Sequence, residues 1–223
     1  MSTRKDFLTA SSLLALTSVS GQAEAASEQV PTFSFNEKVF SKRVSSQARH
    51  RNCFAIASIK GGEGLYAINN TYFTYTGSLG ISPSNIFLIG VLYRITAVTL
   101  ALNDSVWNEF LIPSLTSLPA VVRSDLDTVS IRSGNPCLHA KPNRPGNDAS
   151  IESLSSRNSL FLVCNNAIGA LALLIAPIIG RPVSDVYGRL VKGVVPGASL
   201  VPAGVWALHA LQEKQFTYLQ ATS

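Results

Sequence analysis

A thiol stands where a strand gives way to a helix. Cys164 closes the apolar, β-rich run Ser159-Leu160-Phe161-Leu162-Val163-Cys164, and Asn165-Asn166 open a hydrophobic helix-like stretch behind it. At such a boundary the first amide N–H groups and the positive end of the helix dipole favour an anion, which for cysteine is the nucleophilic thiolate. The chemistry open to it is thiol chemistry, a persulfide or a mixed disulfide, with Asn165 and Asn166 as hydrogen-bond donors. The same residues also fit a small buried hydrophobe at a strand end. Two further chemical side chains, Cys137 and His139, lie two residues apart in a turn-rich region. If that region folds over the strand ends, Cys137 is placed to resolve Cys164 and His139 to lower a thiol pKa. Cys53 lies near the start of an earlier strand and reads as core. Three cysteines are an odd number, so at least one thiol is free or pairs between chains. No CxxC or zinc-type spacing occurs, and no metal site is expected.

The elements that must position these groups alternate. Cys53–Ile59 is a compact apolar run, and Gly61-Gly62-Glu63-Gly64 turns it into a helical segment over 65–76. Asn85–Tyr93 reads as a second strand, followed by a short helix over 95–102. Leu160–Cys164 is the third strand, with helical patterns over 167–175 and 183–192. Ala198–Val201 is the fourth strand, 205–212 a helix, and 216–219 a last strand. Apolar strands alternating with helices predict an α/β fold, a mostly parallel sheet of about five strands covered on both faces. In such a sheet the strand carboxyl ends share one edge, where ligands gather. Gly61, Gly62, Tyr93, Arg94, Cys164, Asn165, Asn166, Pro202 and Gly204 all fall at that edge.

Gly62-Glu63-Gly64-Leu65-Tyr66-Ala67 matches a GxGxxA dinucleotide fingerprint, with Arg94 where a ribose phosphate would be met. Glu63 opposes phosphate there, and a tight strand-to-helix turn is the simpler reading, so no cofactor is expected. Asp104 has no neighbouring acid, so no carboxylate dyad forms. Trp107 reads as a packing anchor, and His50 and His209 as structural or solvated.

The chain divides into a leader over 1–25, an extended polar arm over 26–51, and one α/β domain over 52–223. A long loop insertion is expected at about 103–158. Gly134-Asn135-Pro136 and Pro142-Asn143-Arg144-Pro145-Gly146-Asn147 supply its turn signals. The leader has Arg4-Lys5, an apolar stretch from Phe7 to Val19 and the small-x-small site Ala23-Glu24-Ala25, and it reads as an export signal. Its opening resembles a twin-arginine (Tat-type) signal, with Lys5 in place of the second arginine. A periplasmic or otherwise exported protein is expected. The leader's apolar core is about a dozen residues against roughly 20 for a bilayer crossing, so no stable membrane insertion is expected.

The composition is 46% hydrophobic and 14% charged, that of a globular chain with much buried surface, which favours an oligomer. The net charge of +5 concentrates early, at Lys38, Lys42, Arg43, Arg49, Arg51 and Lys60. Basic and aromatic residues do not interleave as in a nucleic-acid binder, and no such partner is expected.

Phe161-Leu162-Val163-Cys164-Asn165-Asn166-Ala167, Val195-Pro196-Gly197 and Val201-Pro202-Ala203-Gly204-Val205, with Gln212 and Tyr218 beyond, resemble the DsrE/DsrF-like family of sulfur-relay proteins. The resemblance covers 160–219 well and 53–103 loosely. It implies a three-layer α/β/α domain, trimers or hexamers, and a strand-end cysteine that accepts sulfur as a persulfide from a donor protein or passes it to an acceptor. Two readings therefore stand. One is an exported sulfur-relay protein working through Cys164. The other is a non-catalytic periplasmic oligomer that binds a ligand or partner in the strand-edge cleft.

Overall fold

Apolar residues fill both faces of the central strands, and this dictates the architecture. The computed structural model describes residues 29–131, 133–141 and 148–222. The leader and the turn signals at 142–147 lie outside the described residues. Five strands, β1 (His50–Ile56), β2 (Ile86–Leu92), β3 (Ser159–Cys164), β4 (Ala198–Val201) and β5 (Thr217–Gln220), form one sheet in the order β4-β3-β2-β1-β5. Every neighbouring pair is parallel. β2 and β3 are buried along their whole length, as strands covered on both sides must be.

Among the described residues ten α-helices cover the two faces: α1 (Glu37–Arg43), α2 (Glu63–Phe73), α3 (Ile95–Val98), α4 (Asp104–Val106), α5 (Ile112–Ser114), α6 (Ala120–Leu126), α7 (Ile151–Ser156), α8 (Asn165–Ile179), α9 (Val183–Lys192) and α10 (Gly204–Glu213). Phe54, Ile56, Leu88, Leu92, Phe161 and Val163 face the larger core, under α2 to α9. The alternate residues Cys53, Ala55, Ile89, Val91, Leu160 and Leu162 face a smaller core under α1 and α10. The fold is thus the expected three-layer α/β/α arrangement, with an all-parallel sheet. α9 shows the amphipathic spacing most plainly, burying Val183, Val186, Tyr187 and Leu190. No helix of the described residues is long and apolar enough to cross a membrane.

Two segments differ from the sequence reading. The stretch over 26–51 is not an extended arm where it is described. Asn36 caps α1 by accepting the Val39 N–H at 3.1 Å, and Phe40, Val44 and Ala48 are buried. The Phe35 and Phe40 rings each stand 5.0 Å from Trp206 of α10. The helix is too short for a period to emerge from a polar run, and β1 already begins at His50.

Where it is described, the stretch over 103–158 is helical across much of 104–126, where a loop is expected, and again at α7, which matches the short helical pattern at 150–157. α4, a π-helical turn at Trp107–Leu111, α5 and α6 bury Trp107, Phe110, Leu111 and Leu126 completely. Trp107 is the anchor expected of it, its indole N–H donating to the Thr99 carbonyl at 2.9 Å. Each piece is only one or two turns long, so no 3.6-residue pattern is sustained.

Candidate functional site

The carboxyl ends of β1, β2 and β3 open into a cavity of about 650 Å³. Ala57, Ser58 and Lys60 follow β1, Tyr93 to Thr96 follow β2, and Cys164, Asn166 and Ala167 lie at the β3–α8 junction. Val121, Val122, Ser124 and Asp125 of α6 form the remaining wall. Cys164 is the N-cap residue of α8 and lines the cavity, although only 5% of its surface is exposed.

The sequence-predicted residues divide into five groups, one of them His139 alone. Cys164, Tyr93 and Asn166 line the main cavity. Asn165 does not; its side-chain oxygen accepts the Tyr187 hydroxyl at 2.7 Å and ties α8 to α9. Pro202 lies in the β4–α10 connection, and Gly204 opens α10 beside Cys164. The Asn166 N–H donates to the Pro202 carbonyl at 3.3 Å, so this amide is already engaged within the chain. Gly61, Gly62 and Cys137 line a second cavity of about 310 Å³ between the β1–α2 turn and residues 128–130, 136–141 and 148–150.

The pairing of Cys137 with Cys164, conditional on the 103–158 segment folding over the strand ends, is not formed, and Cys53, Cys137 and Cys164 are all free. Burial pushes the Cys137 thiol up to about 11, with Lys141 opposing that shift. Burial also raises Cys53 to about 11, against a backbone hydrogen bond.

His139 is not beside a thiol. Its Nε2 lies 2.6 Å from Asp104 and its Nδ1 3.1 Å from Glu152. Both contacts are hydrogen bonds only when both ring nitrogens carry protons, so the clasp belongs to the cation. The hydrogen bond to Asp104 is the main cause that raises the His139 pKa above 6.5. Burial pushes the Asp104 carboxyl up, but His139 and the Asn135 N–H more than offset it and hold it below 3.8.

A histidine raised in the folded state contributes stability that is complete below its unfolded value near 6.5, and that is lost as pH rises through the folded value. Hydrogen exchange around 133–141 is therefore expected to accelerate relative to the core as pH climbs past 6.5, after correction for intrinsic exchange. The same change in protection should be absent in His139→Gln. The three side chains are 41–58% exposed, which keeps the effect small.

What sequence reasoning missed is how the β1–α2 turn is held. Thr222 Oγ1 accepts the Ala57 and Ser58 N–H groups at 2.7 and 3.1 Å. The Asp125 carboxylate accepts those of Ile59 and Lys60 at 3.2 and 3.0 Å. Thr128 Oγ1 accepts Gly61 N–H at 2.7 Å, and the Ile59 carbonyl accepts Gly62 N–H at 2.6 Å. A phosphate cradle needs these donors free. Here the chain supplies its own carboxylate, so the GxGxxA reading does not hold, and the glycines serve the turn with φ of 64° and 84° at Gly61 and Gly62. No local signal could have located Asp125 or Thr222, which are 66 and 165 residues from the amides they hold.

Gly204 sets how closely α10 approaches the site. A Cβ there would collide with the Tyr93 Cβ, lie 2.8 Å from the Tyr93 Cα and reach 3.4 Å from the Cys164 Cβ. Gly204→Ala is expected to destabilise the chain by about 2 kcal/mol through overpacking and to change the rate at which Cys164 is alkylated. Thermal unfolding and peptide mapping of alkylated Cys164 check both effects.

Among the described residues no three His, Cys, Asp or Glu side chains are grouped to hold a metal ion. Fold and cavity together define a class: a parallel three-layer α/β/α protein with a cysteine in the wall of its carboxyl-edge cleft. No protein-family model matches the chain, and searches of curated proteins and of solved structures also find no match.

Proposed function

We propose that this is an exported sulfur-handling protein in which Cys164 accepts sulfane sulfur as a persulfide. The observation that carries the reading is the position of Cys164 at the N-terminus of α8, in the wall of a cavity of about 650 Å³ where three parallel strands end. In the transfer, the Cys164 thiolate attacks the outer sulfur of R–S–SH. A new sulfur–sulfur bond forms, the old one breaks, and R–S⁻ leaves with the bonding pair. The thiol proton goes to solvent before attack, and no external oxidant is needed. The resemblance to DsrE/DsrF-like proteins supports the same chemistry and an oligomeric state.

A second reading, a binding protein without thiol chemistry, is favoured by the low exposure of Cys164 and by the engaged Asn166 N–H. Treatment of the full chain with inorganic polysulfide, followed by peptide mass mapping, separates the two. Gain of one sulfur atom on the Cys164 peptide supports transfer; an unmodified Cys164 in the folded chain supports binding alone.

A further inference from the structure

The cavity's charges are unevenly satisfied. Three charged side chains line it, Lys60, Arg94 and Asp125. Asp125 spends both carboxylate oxygens on the backbone of the β1–α2 turn. Lys60 lies 3.3 Å from Glu63 on the surface. Among the described residues no carboxylate pairs with Arg94. Its guanidinium sits over the Tyr93 ring, 5.9 Å from the centroid, and so stays beside the wall that holds Cys164. Much of the remaining wall is apolar, formed by Ala57, Ile95, Val121, Val122 and Ala167, with one side chain, Val121, 77% exposed at the rim. An unpaired guanidinium beside an apolar wall selects a ligand with one acid group and an apolar body.

Resting on the sulfur-accepting reading of Cys164, we infer that the donor is a small organic anion bearing sulfane sulfur, of the thiosulfonate class, whose acid group pairs with Arg94 and whose apolar body lies against Ile95, Val121 and Val122. With benzenethiosulfonate the Cys164 thiolate attacks the terminal sulfur. The bond between that sulfur and the sulfonyl sulfur breaks, a Cys164 persulfide forms, and benzenesulfinate leaves with the electron pair. The Cys164 sulfur is oxidised to the persulfide level, and the sulfonyl group is reduced to sulfinate.

The test uses the purified full chain and two probes: benzenesulfonate, which binds without transferring sulfur, and benzenethiosulfonate, which transfers it. By calorimetry, benzenesulfonate is expected to bind the wild type and Cys164→Ser alike. Loss of the charge-assisted pair in Arg94→Gln is expected to weaken it about ten- to hundredfold. Methanesulfonate, which lacks the ring, is expected to bind about tenfold more weakly or worse. Val121→Glu, a change at an exposed position that should not disturb folding, is expected to repel the same probe. Benzenethiosulfonate should add one sulfur atom to the Cys164 peptide, more slowly in Arg94→Gln. If polysulfide loads Cys164 but benzenesulfonate does not bind, or binds Arg94→Gln equally well, the ligand class is overturned and the sulfur-accepting reading survives. If benzenesulfonate binds through Arg94 but neither donor loads Cys164, the donor role falls together with that reading.

Discussion

Cys164→Ser is expected to take up no sulfur from polysulfide while folding as well as the wild type. Serine is nearly isosteric with cysteine and is a preferred N-cap, so the start of α8 is kept or strengthened. What disappears is the thiolate, since a hydroxyl at neutral pH is a far weaker nucleophile. Cys137→Ser is expected to retain uptake, because Cys137 lines the second cavity beside Gly62 rather than the main one. Cys53 is wholly buried on the face of β1 under α1 and α10 and is expected to stay unmodified in the folded chain. Peptide mass mapping of the wild type and the two variants is the check. Uptake that survives in Cys164→Ser and vanishes in Cys137→Ser would move the chemistry to the second cavity.

The largest loss of stability is expected from Asn135→Ala. This side chain is 4% exposed and makes four hydrogen bonds. Its two amide N–H groups donate to the carbonyls of Leu100 and Leu102 at 2.8 and 2.7 Å, one of them shared with the Thr99 carbonyl at 3.3 Å, and its oxygen accepts the Cys137 N–H at 2.9 Å. The carbonyls it meets end the helical turn that follows α3, and the turn it belongs to carries Cys137. Truncation leaves these groups without partners and opens a gap beside Trp107, whose indole binds the same Thr99 carbonyl. Buried polar groups left unsatisfied cost about 1–3 kcal/mol each, and partial relaxation makes about 3 kcal/mol a reasonable total. That corresponds to a fall of about 6–12 °C in Tm for a domain of this size. Thermal denaturation checks it; a loss below about 1 kcal/mol would mean that the carbonyls find other partners. Asn135→Asp keeps the acceptor but loses the three donations, and should recover little.

The elements that build the main cavity are readable because their signals are local. β2 and β3 are continuous apolar runs, as parallel strands covered on both faces must be, and β4 falls on the expected residues. α9 shows its period within one helix. Once the strands are parallel, topology alone brings Tyr93 and Cys164 to one edge. Other parts depend on contacts between distant residues and leave no local trace. α6 closes the cavity although it arises from a segment that reads as a loop, because its buried Val122 and Leu126 span only two turns. The same distance effect hides Asp125 and Thr222 at the β1–α2 turn. It also sends Cys137 and His139 to different neighbours: proximity in sequence placed them together, but His139 is drawn to two carboxylates on α4 and α7.

The most direct test of a working Cys164 is alkylation of the folded, reduced chain by iodoacetamide across a pH series, with each cysteine read by peptide mass. Cys164 should label in the native state faster than Cys137 and well before Cys53, and benzenesulfonate should slow its labelling. A Cys164 that stays unlabelled until the chain is denatured would contradict the account and leave the cleft as a binding site only.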